Sequence, residues 1–193
     1  MALLTALLAT ALLMALGVSI LLLGSAESTL ASRDRDGRAL GYAAHAAAAL
    51  AAADLRALPS WAAVAAPGAV PEVSATPGRF VDSTLAPTAP WGGPPLDLRA
   101  LTARLQAESD AAAPSGSAPP WRLFAYGPLA SLVPDSAVEN PYYLVVWVAD
   151  EGGTLVTRSA AYGPGEGRSI TESSLARDPA TNRVRILTNR PGS

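Results

Sequence analysis

The chain of 193 residues contains no cysteine and no lysine, and it has a single histidine. Without thiols it can form neither disulfides nor thiolate metal sites. With one histidine, the chain has at most one residue that could serve as the base of a Ser-His pair, and without cysteine it can form no Cys-His pair. The formal net charge of -2 provides no electrostatic attraction to nucleic acid or to an anionic membrane surface. These absences favour a structural or binding role over catalysis.

The catalytic motifs H-E-x-x-H, G-x-S-x-G and the Walker loop are also missing. The stretch "GPGEG" at 163–167 superficially resembles a phosphate loop, but it lacks the lysine and the following helix, so we interpret it as a turn. Glu108 with Asp110 and Asp150 with Glu151 are acidic neighbours, yet neither pair has further oxygen ligands nearby in sequence. We interpret them as solvated charge and predict no catalytic residue, cofactor or metal.

The long apolar segment at the start of the chain has no charged residue before Glu27. Residues 1–24 exceed the roughly 20 apolar residues that cross a bilayer. A secretory signal has a positive start and a shorter apolar run, although Gly24-Ser25-Ala26 is compatible with a cleavage site and keeps that alternative open. Since no proline precedes Pro59, we expect one long helix: a transmembrane half over 1–24 and an amphipathic continuation over 25–58.

The sequence predicts one stripe on each half of this helix. The second half carries an apolar stripe. His45 lies off that stripe and is predicted to be a surface residue. Its members recur every three or four residues: Leu40, Ala44, Ala47, Ala51, Leu55 and Leu58. The first half carries a stripe of small residues, which permits close packing between helices in lipid. Its members are Ala6, Thr10, Gly17, Gly24, Ser28 and Ala31.

Neither the small stripe nor the charged stretch after it has a single interpretation. An alanine-rich helix always has some small face, and Leu13 interrupts this one, so its role in packing stays open. The alternating charges of "SRDRDGR" at 32–38 fit a solvated helix surface. They also fit ion pairs that set the register with neighbouring helices, which salt would weaken.

The remainder of the chain divides into a loop region and a sheet. Residues 59–120 are rich in proline, alanine and glycine, with a short helix predicted at 98–109 after the N-cap Asp97. Residues 121–193 form strand-like runs separated by turns and predict a four- to five-stranded, mainly antiparallel sheet. An antiparallel sheet commonly leaves one face in solvent, so we expect its buried face to pack on the long helix. The predicted fold class is α+β.

Two stretches resemble known proteins, namely the type IV pilins and pseudopilins and in particular the X-type minor pilins of pilus assembly. The first is residues 2–55, where the apolar run passes into an arginine-rich segment and then into "YAA" at 42–44. The second comprises "WRLFAYGPLASLVP" at 121–134 and the segment 141–177, with its Tyr-Gly-Pro step at 162–164. Together these stretches cover more than half of the chain.

The resemblance implies a single-pass protein of the cytoplasmic membrane, with its sheet domain outside the cytoplasm and incorporated into a pilus or pseudopilus. The implied partners are the membrane, other pilin or pseudopilin subunits and the assembly platform, with no nucleic acid and no small-molecule substrate. Type IV pilins begin with a basic leader, which is not seen before Met1, and they carry glutamate at the fifth mature position. If Met1 is the mature start, Thr5 stands there. A pseudopilin thought to sit at the filament tip also lacks that glutamate, so the resemblance then implies a tip role.

Two alternatives remain beside the filament subunit. One is an unrelated single-pass envelope protein with a small ligand-binding or partner-binding sheet domain. The other is a membrane-anchored enzyme, for which a deep pocket lined by converging polar groups would be required.

Overall fold

The chain forms two compact units, Met1–Arg38 and Ala39–Ser193. The computed structural model describes residues 1–65, 73–114, 116–132, 140–178, 181 and 183–192, apart from the side chains of Thr5 and Ala65. The first unit is helical throughout, and the second holds the sheet and the remaining helices. The elements are α1 (Ala2–Ala57), α2 (Ala62–Ala65), α3 (Leu98–Ala112), β1 (Arg122–Pro128), β2 (Tyr143–Glu151), β3 (Thr154–Tyr162), β4 (Arg168–Arg177) and β5 (Val184–Pro191).

The five strands form one sheet in the order β1-β2-β3-β4-β5, and every neighbouring pair is antiparallel. The predicted α+β class, a long apolar N-terminal helix with an antiparallel sheet, is therefore confirmed. Tight connections explain the meander. Gly152 and Gly153 join β2 to β3 with φ of 64° and 90°, a conformation that glycine adopts without steric cost. Asp150 Oδ1 accepts a 2.8 Å hydrogen bond from the Gly153 amide and closes this turn.

The part of α1 that belongs to the second unit packs on one face of the sheet. Its buried stripe includes the predicted Leu40, Ala44, Ala47, Ala51 and Leu55, and the exposed His45 lies off it, as predicted. Leu58, the last predicted member, follows the end of α1 and is partly buried against the same core. Even-numbered residues of β2 meet this face: Leu144, Val146 and Val148.

The other face of the sheet is also covered, so our expectation of a solvent-exposed face was wrong. Leu98 and Leu105 of α3 form a second core with the odd-numbered residues of β2. Trp147 belongs to this core and donates a 2.8 Å hydrogen bond from its indole nitrogen to the Thr102 hydroxyl. The 3.6-residue period of α3 had indicated an apolar face, but it could not show which layer that face would meet. The central strands are consequently buried on both faces.

Helix α3 begins at the predicted residue, Leu98, and extends to Ala112, three residues beyond the predicted end at Ser109. Asp97 caps it by accepting a 2.9 Å hydrogen bond from the Ala100 amide. At the other end, Asp110 Oδ1 accepts hydrogen bonds from the Gln106 amide group and the Ala118 backbone amide at 3.0 and 2.7 Å. Asp110 therefore organises the exit from α3, and our interpretation of it as merely solvated charge was wrong.

The edge of the sheet at β1 is covered by the segment 73–82, which runs beside it in parallel. Leu123 and Tyr126 of β1 form bridges with Val73 and Val81. The Asp82 amide donates to the Tyr126 carbonyl oxygen at 2.8 Å, and the Tyr126 amide donates to the Phe80 carbonyl oxygen at 2.9 Å. This part of the predicted loop region thus satisfies backbone groups that an open edge strand would leave unpaired.

The same segment makes the sheet domain sensitive to alkaline pH through Tyr143. The buried Tyr143 phenol donates to Asp82 Oδ2 at 3.0 Å. Burial and the nearby Asp82 carboxylate raise the pKa of Tyr143 well above its usual value near 10. Because the folded pKa is raised, the contribution of the protonated phenol is complete below about pH 10 and is lost above it, with a slope of up to about 1.4 kcal/mol per pH unit.

For Tyr143→Phe we therefore expect a shallower fall in the free energy of unfolding above about pH 10 than for the wild type. The measurement is urea unfolding of the full chain in a neutral detergent at several pH values, followed by tryptophan fluorescence. Tyr42→Phe, at an exposed position of α1, is the matched control. Equal slopes for Tyr143→Phe and the wild type would contradict the assignment.

Candidate functional site

The first unit, Met1–Arg38, is the N-terminal part of α1, which carries no charged side chain before Glu27, and each of its described side chains is exposed. One window of 18 residues in α1 has a mean hydropathy of 2.6, and none of it is buried. By length and composition α1 can therefore cross a membrane. Burying one leucine side chain is worth about 1.5–3 kcal/mol, and this unit exposes many. Examples are Leu3, Leu8, Leu13, Leu21 and Leu23, each more than half exposed.

All six residues of the predicted small face lie on α1 within this unit, and all are exposed. A Cβ atom built on Gly17 or Gly24 would meet nothing within 4 Å. The Thr10 hydroxyl donates to the carbonyl oxygens of Ala6 and Leu7 at 3.0 and 2.9 Å, so its polarity is satisfied inside the helix. Close packing of this face against another helix would therefore leave the Thr10 hydroxyl with its hydrogen bonds.

Two further predictions concern this unit. The side chain of Thr5 lies outside the described residues, so its correspondence to the pilin glutamate position stays a prediction. In the charged stretch, Arg38 and Asp34 form an ion pair at 2.8 Å, one helical turn apart, with both side chains mostly exposed. Such a pair contributes only a few tenths of a kcal/mol within the chain, and both interpretations of the charged stretch stay predictions.

The sheet domain offers no metal centre within the described part of the chain, where no group of three or more His, Asp or Glu side chains could hold an ion. His45 is exposed on α1. Glu108 lies at the limit of ion-pair distance, 4.0 Å, from Arg158, and Asp150 is occupied by the β2–β3 turn. Glu151 is exposed at the end of β2.

Asp54 is a buried carboxylate that our sequence analysis missed. Its side chain is 5% exposed and lies on the apolar stripe of α1. Its oxygens accept hydrogen bonds from the Arg79 backbone amide at 3.0 Å and from Arg79 Nε at 2.8 Å. The sequence did contain a signal for it, because a carboxylate on the buried stripe of a helix needs a hydrogen-bond donor or a cation beside it. That partner lies 25 residues away, in a segment without periodicity.

Arg177 at the end of β4 binds the C-terminal end of α1. Its guanidinium lies 4.8 Å from the centre of the Trp61 ring. It donates to the carbonyl oxygens of Leu55 and Leu58 at 3.2 and 2.8 Å, and to that of Pro59 at 3.0 Å. A cation at this position satisfies terminal carbonyls of the helix and complements its dipole.

The geometry therefore consists of an uncovered apolar helix and a well-packed sheet domain, with polar side chains that fasten the domain together. These features are loosely consistent with a pilin-like fold. In comparisons with known proteins, no protein-family profile, no curated protein and no solved structure matches the chain.

Proposed function

We propose that this chain is a structural subunit of a type IV pilus or a related filament, of the minor pilin kind. One observation carries the proposal. Helix α1 contains a fully exposed apolar stretch long enough to cross a membrane, and the same helix continues into the stripe that packs on the sheet. A cleavable signal would have no need to continue into a domain core. The sequence resemblance of residues 2–55 and 141–177 supports the same function.

The chemistry of such a subunit is the transfer of an apolar helix between two apolar surroundings. In the cytoplasmic membrane the apolar residues 1–24 lie in lipid, with the sheet domain outside the cytoplasm. In the filament the leucines pack against the same segments of other pilin or pseudopilin subunits, delivered by the assembly platform. Because lipid and a helix bundle are similarly apolar, shape rather than hydrophobicity decides the exchange, and small residues favour close packing.

The direct test is to locate the chain in surface filaments. Cells that produce the chain are sheared, the filaments are collected, and both the filaments and the washed membranes are probed with an antibody against the sheet domain. We expect the chain in both fractions, with immunogold label on the filaments. A chain confined to the membranes, in cells that make normal filaments, would contradict the proposal and favour the envelope-protein alternative.

The small face gives a sharper prediction through Gly17→Leu. A Cβ on Gly17 meets nothing within 4 Å and the position is exposed, so we expect the leucine to leave the fold of the monomer unchanged. In a filament it would separate helices that the small residues allow to approach. We expect several-fold less of this chain in sheared filaments, at an unchanged amount in the membrane.

Ala15→Leu is the matched control for this substitution. Position 15 lies about 160° around the helix from Gly17, at about 100° per residue, so the same side chain is added to the opposite face. It should leave incorporation unchanged. If Gly17→Leu and Ala15→Leu are incorporated equally well, the small face does not pack against another subunit.

A further inference from the structure

A groove of about 510 Å³ lies between α3 and the end of β3, a volume within the range of small-molecule sites. We name it the arginine groove. Trp91 and Leu96 line one part of it, and the partly buried Tyr162 lines another. Arg104 of α3 and Arg168 of β4 line it as well. Apolar surface and two guanidinium groups thus face one space.

The two arginines of the groove differ from their neighbour Arg158. The chain holds Arg158 between Glu172 at 3.6 Å and Glu108 at 4.0 Å. The guanidinium groups of Arg104 and Arg168 form no ion pair and no hydrogen bond with any residue that the structure describes. They nevertheless lie near each other, because both also line a second, smaller cavity, which Tyr162 lines as well. The fold therefore gathers positive charge at this place and neutralises only part of it.

The one carboxylate among the groove-lining residues belongs to Glu166. It lies in the turn after β3, where it has the left-handed φ of 61°. Glu108 borders the adjoining smaller cavity, but it lies 4.0 Å from Arg158. Within the groove itself two guanidinium groups face one carboxylate, so the lining carries net positive charge. A small ligand that neutralises it should therefore be an anion.

Tyr162 adds a hydrogen-bond donor to this charge. Its hydroxyl has no hydrogen-bond partner among the described residues. Burial raises the pKa of Tyr162, although the nearby Arg168, Arg158 and Arg104 act in the opposite direction. The phenol consequently keeps its proton at neutral pH and can donate to an oxygen anion placed beside the arginines.

We propose that the arginine groove binds a small organic carboxylate that has an apolar body. Arg104 and Arg168 bind the carboxylate, since guanidinium groups present paired donors that match carboxylate oxygens. The Tyr162 hydroxyl donates a further hydrogen bond. The apolar body lies against Trp91 and Leu96, where it displaces water from apolar surface. This binding is independent of the filament role.

The test uses two probes of the same shape, 1-naphthoate and the neutral 1-naphthalenemethanol. The full chain is placed in nanodiscs of zwitterionic phosphatidylcholine, and binding is measured by equilibrium dialysis against empty nanodiscs at low salt. We expect 1-naphthoate to bind about tenfold more tightly than the alcohol, the effect of one strong charged interaction. Equal affinities, or no saturable naphthoate binding, would overturn the proposal.

Variants locate the site. The double substitution Arg104→Gln/Arg168→Gln should weaken naphthoate binding about tenfold and leave the alcohol unaffected. Trp91→Ala should weaken both probes. Glu166→Gln should strengthen naphthoate binding about twofold, because it removes the opposing charge. The control Arg185→Gln, on exposed β5, removes the same charge outside the groove and should change affinity less than about twofold.

Both groove arginines are exposed, so the double variant is expected to keep its fold, and an unchanged thermal unfolding curve checks this. Wild-type affinity for naphthoate in the folded double variant would show that the anion binds elsewhere and would reject the groove as its site.

Discussion

Replacing Phe124 by alanine is expected to lower the free energy of unfolding of the sheet domain by about 3–5 kcal/mol. Phe124 in β1 is 1% exposed and belongs to the core beneath α1. It sits at an irregularity, because the β1–β2 register shifts between Leu123 and Ala125. Leu123 faces the α3 core and Phe124 the α1 core, as alternation requires, and the bulge places the next residue, Ala125, on the α1 side as well.

The cost of Phe124→Ala has two parts, the lost transfer of the ring from water and the cavity that remains. The cavity cannot close easily, because a Cβ on Gly78 would already lie 3.1 Å from the Phe124 ring and equally close to Ala125 and Asp54. The covering segment is therefore fastened on several sides and cannot sink into the vacated space.

The measurement is urea unfolding of the full chain in neutral detergent, followed by tryptophan fluorescence. Leu187→Ala on β5 is the control, since it also shortens an apolar side chain, but one that is 57% exposed. It should cost less than about 0.5 kcal/mol. A loss below about 1 kcal/mol for Phe124→Ala would mean that the ring is not enclosed.

Replacing Asp54 by alanine is expected to cost about 2–4 kcal/mol. The substitution removes the acceptor of the Arg79 amide and leaves that donor without its protein partner. It also removes the ion pair between Asp54 Oδ1 and Arg79 Nη2, which lie 2.7 Å apart. Because the Arg79 side chain is largely exposed, water screens this charge pair, and most of the loss should come from the hydrogen bonds of the buried carboxylate.

A pair of variants separates these contributions. Arg79→Ala keeps the backbone amide and removes only the screened guanidinium, so it should cost about 1 kcal/mol or less. Asp34→Ala removes a carboxylate from the exposed part of α1 and should leave the unfolding of the sheet domain unchanged. If Arg79→Ala costs as much as Asp54→Ala, the ion pair rather than the hydrogen bond to the backbone fastens the segment.

Local patterns predicted local structure well in this chain. The three- and four-residue spacing of the stripe placed the buried face of α1, and Asp97 marked the start of α3. The alternation of strand-like runs and glycine turns placed the hairpin of β2 and β3. Each of these signals depends on residues within a few positions of one another, and periodicity records such relations.

The unpredicted features depend on distant contacts. The segment 73–82 has no periodicity, and its order comes from bonding to β1 and to Asp54. Arg177 reaches the end of α1 across 119 residues of sequence. The arginine groove likewise joins residues from the loop region, α3 and the turn after β3. The unbroken apolar run of β2 did indicate burial on both faces. A single sequence carries no record of which distant elements meet, however, so neither the role of α3 as the second cover nor the groove could be derived from it.

The strand β2, shared between two cores, has a consequence for how the sheet finds its correct alignment. In a half-buried strand, a slip by one residue is penalised because polar side chains enter the core. Tyr143 to Ala149 carry aliphatic or aromatic side chains throughout, so an alternation of polar and apolar residues cannot penalise such a slip. Side-chain packing and hydrogen bonds do so instead. Leu144 and Val146 pack among the alanines of α1, and a slip would separate the Trp147 indole from the Thr102 hydroxyl. The turn at Gly152 and the packing of these side chains thus together fix the register of β2 against its neighbours.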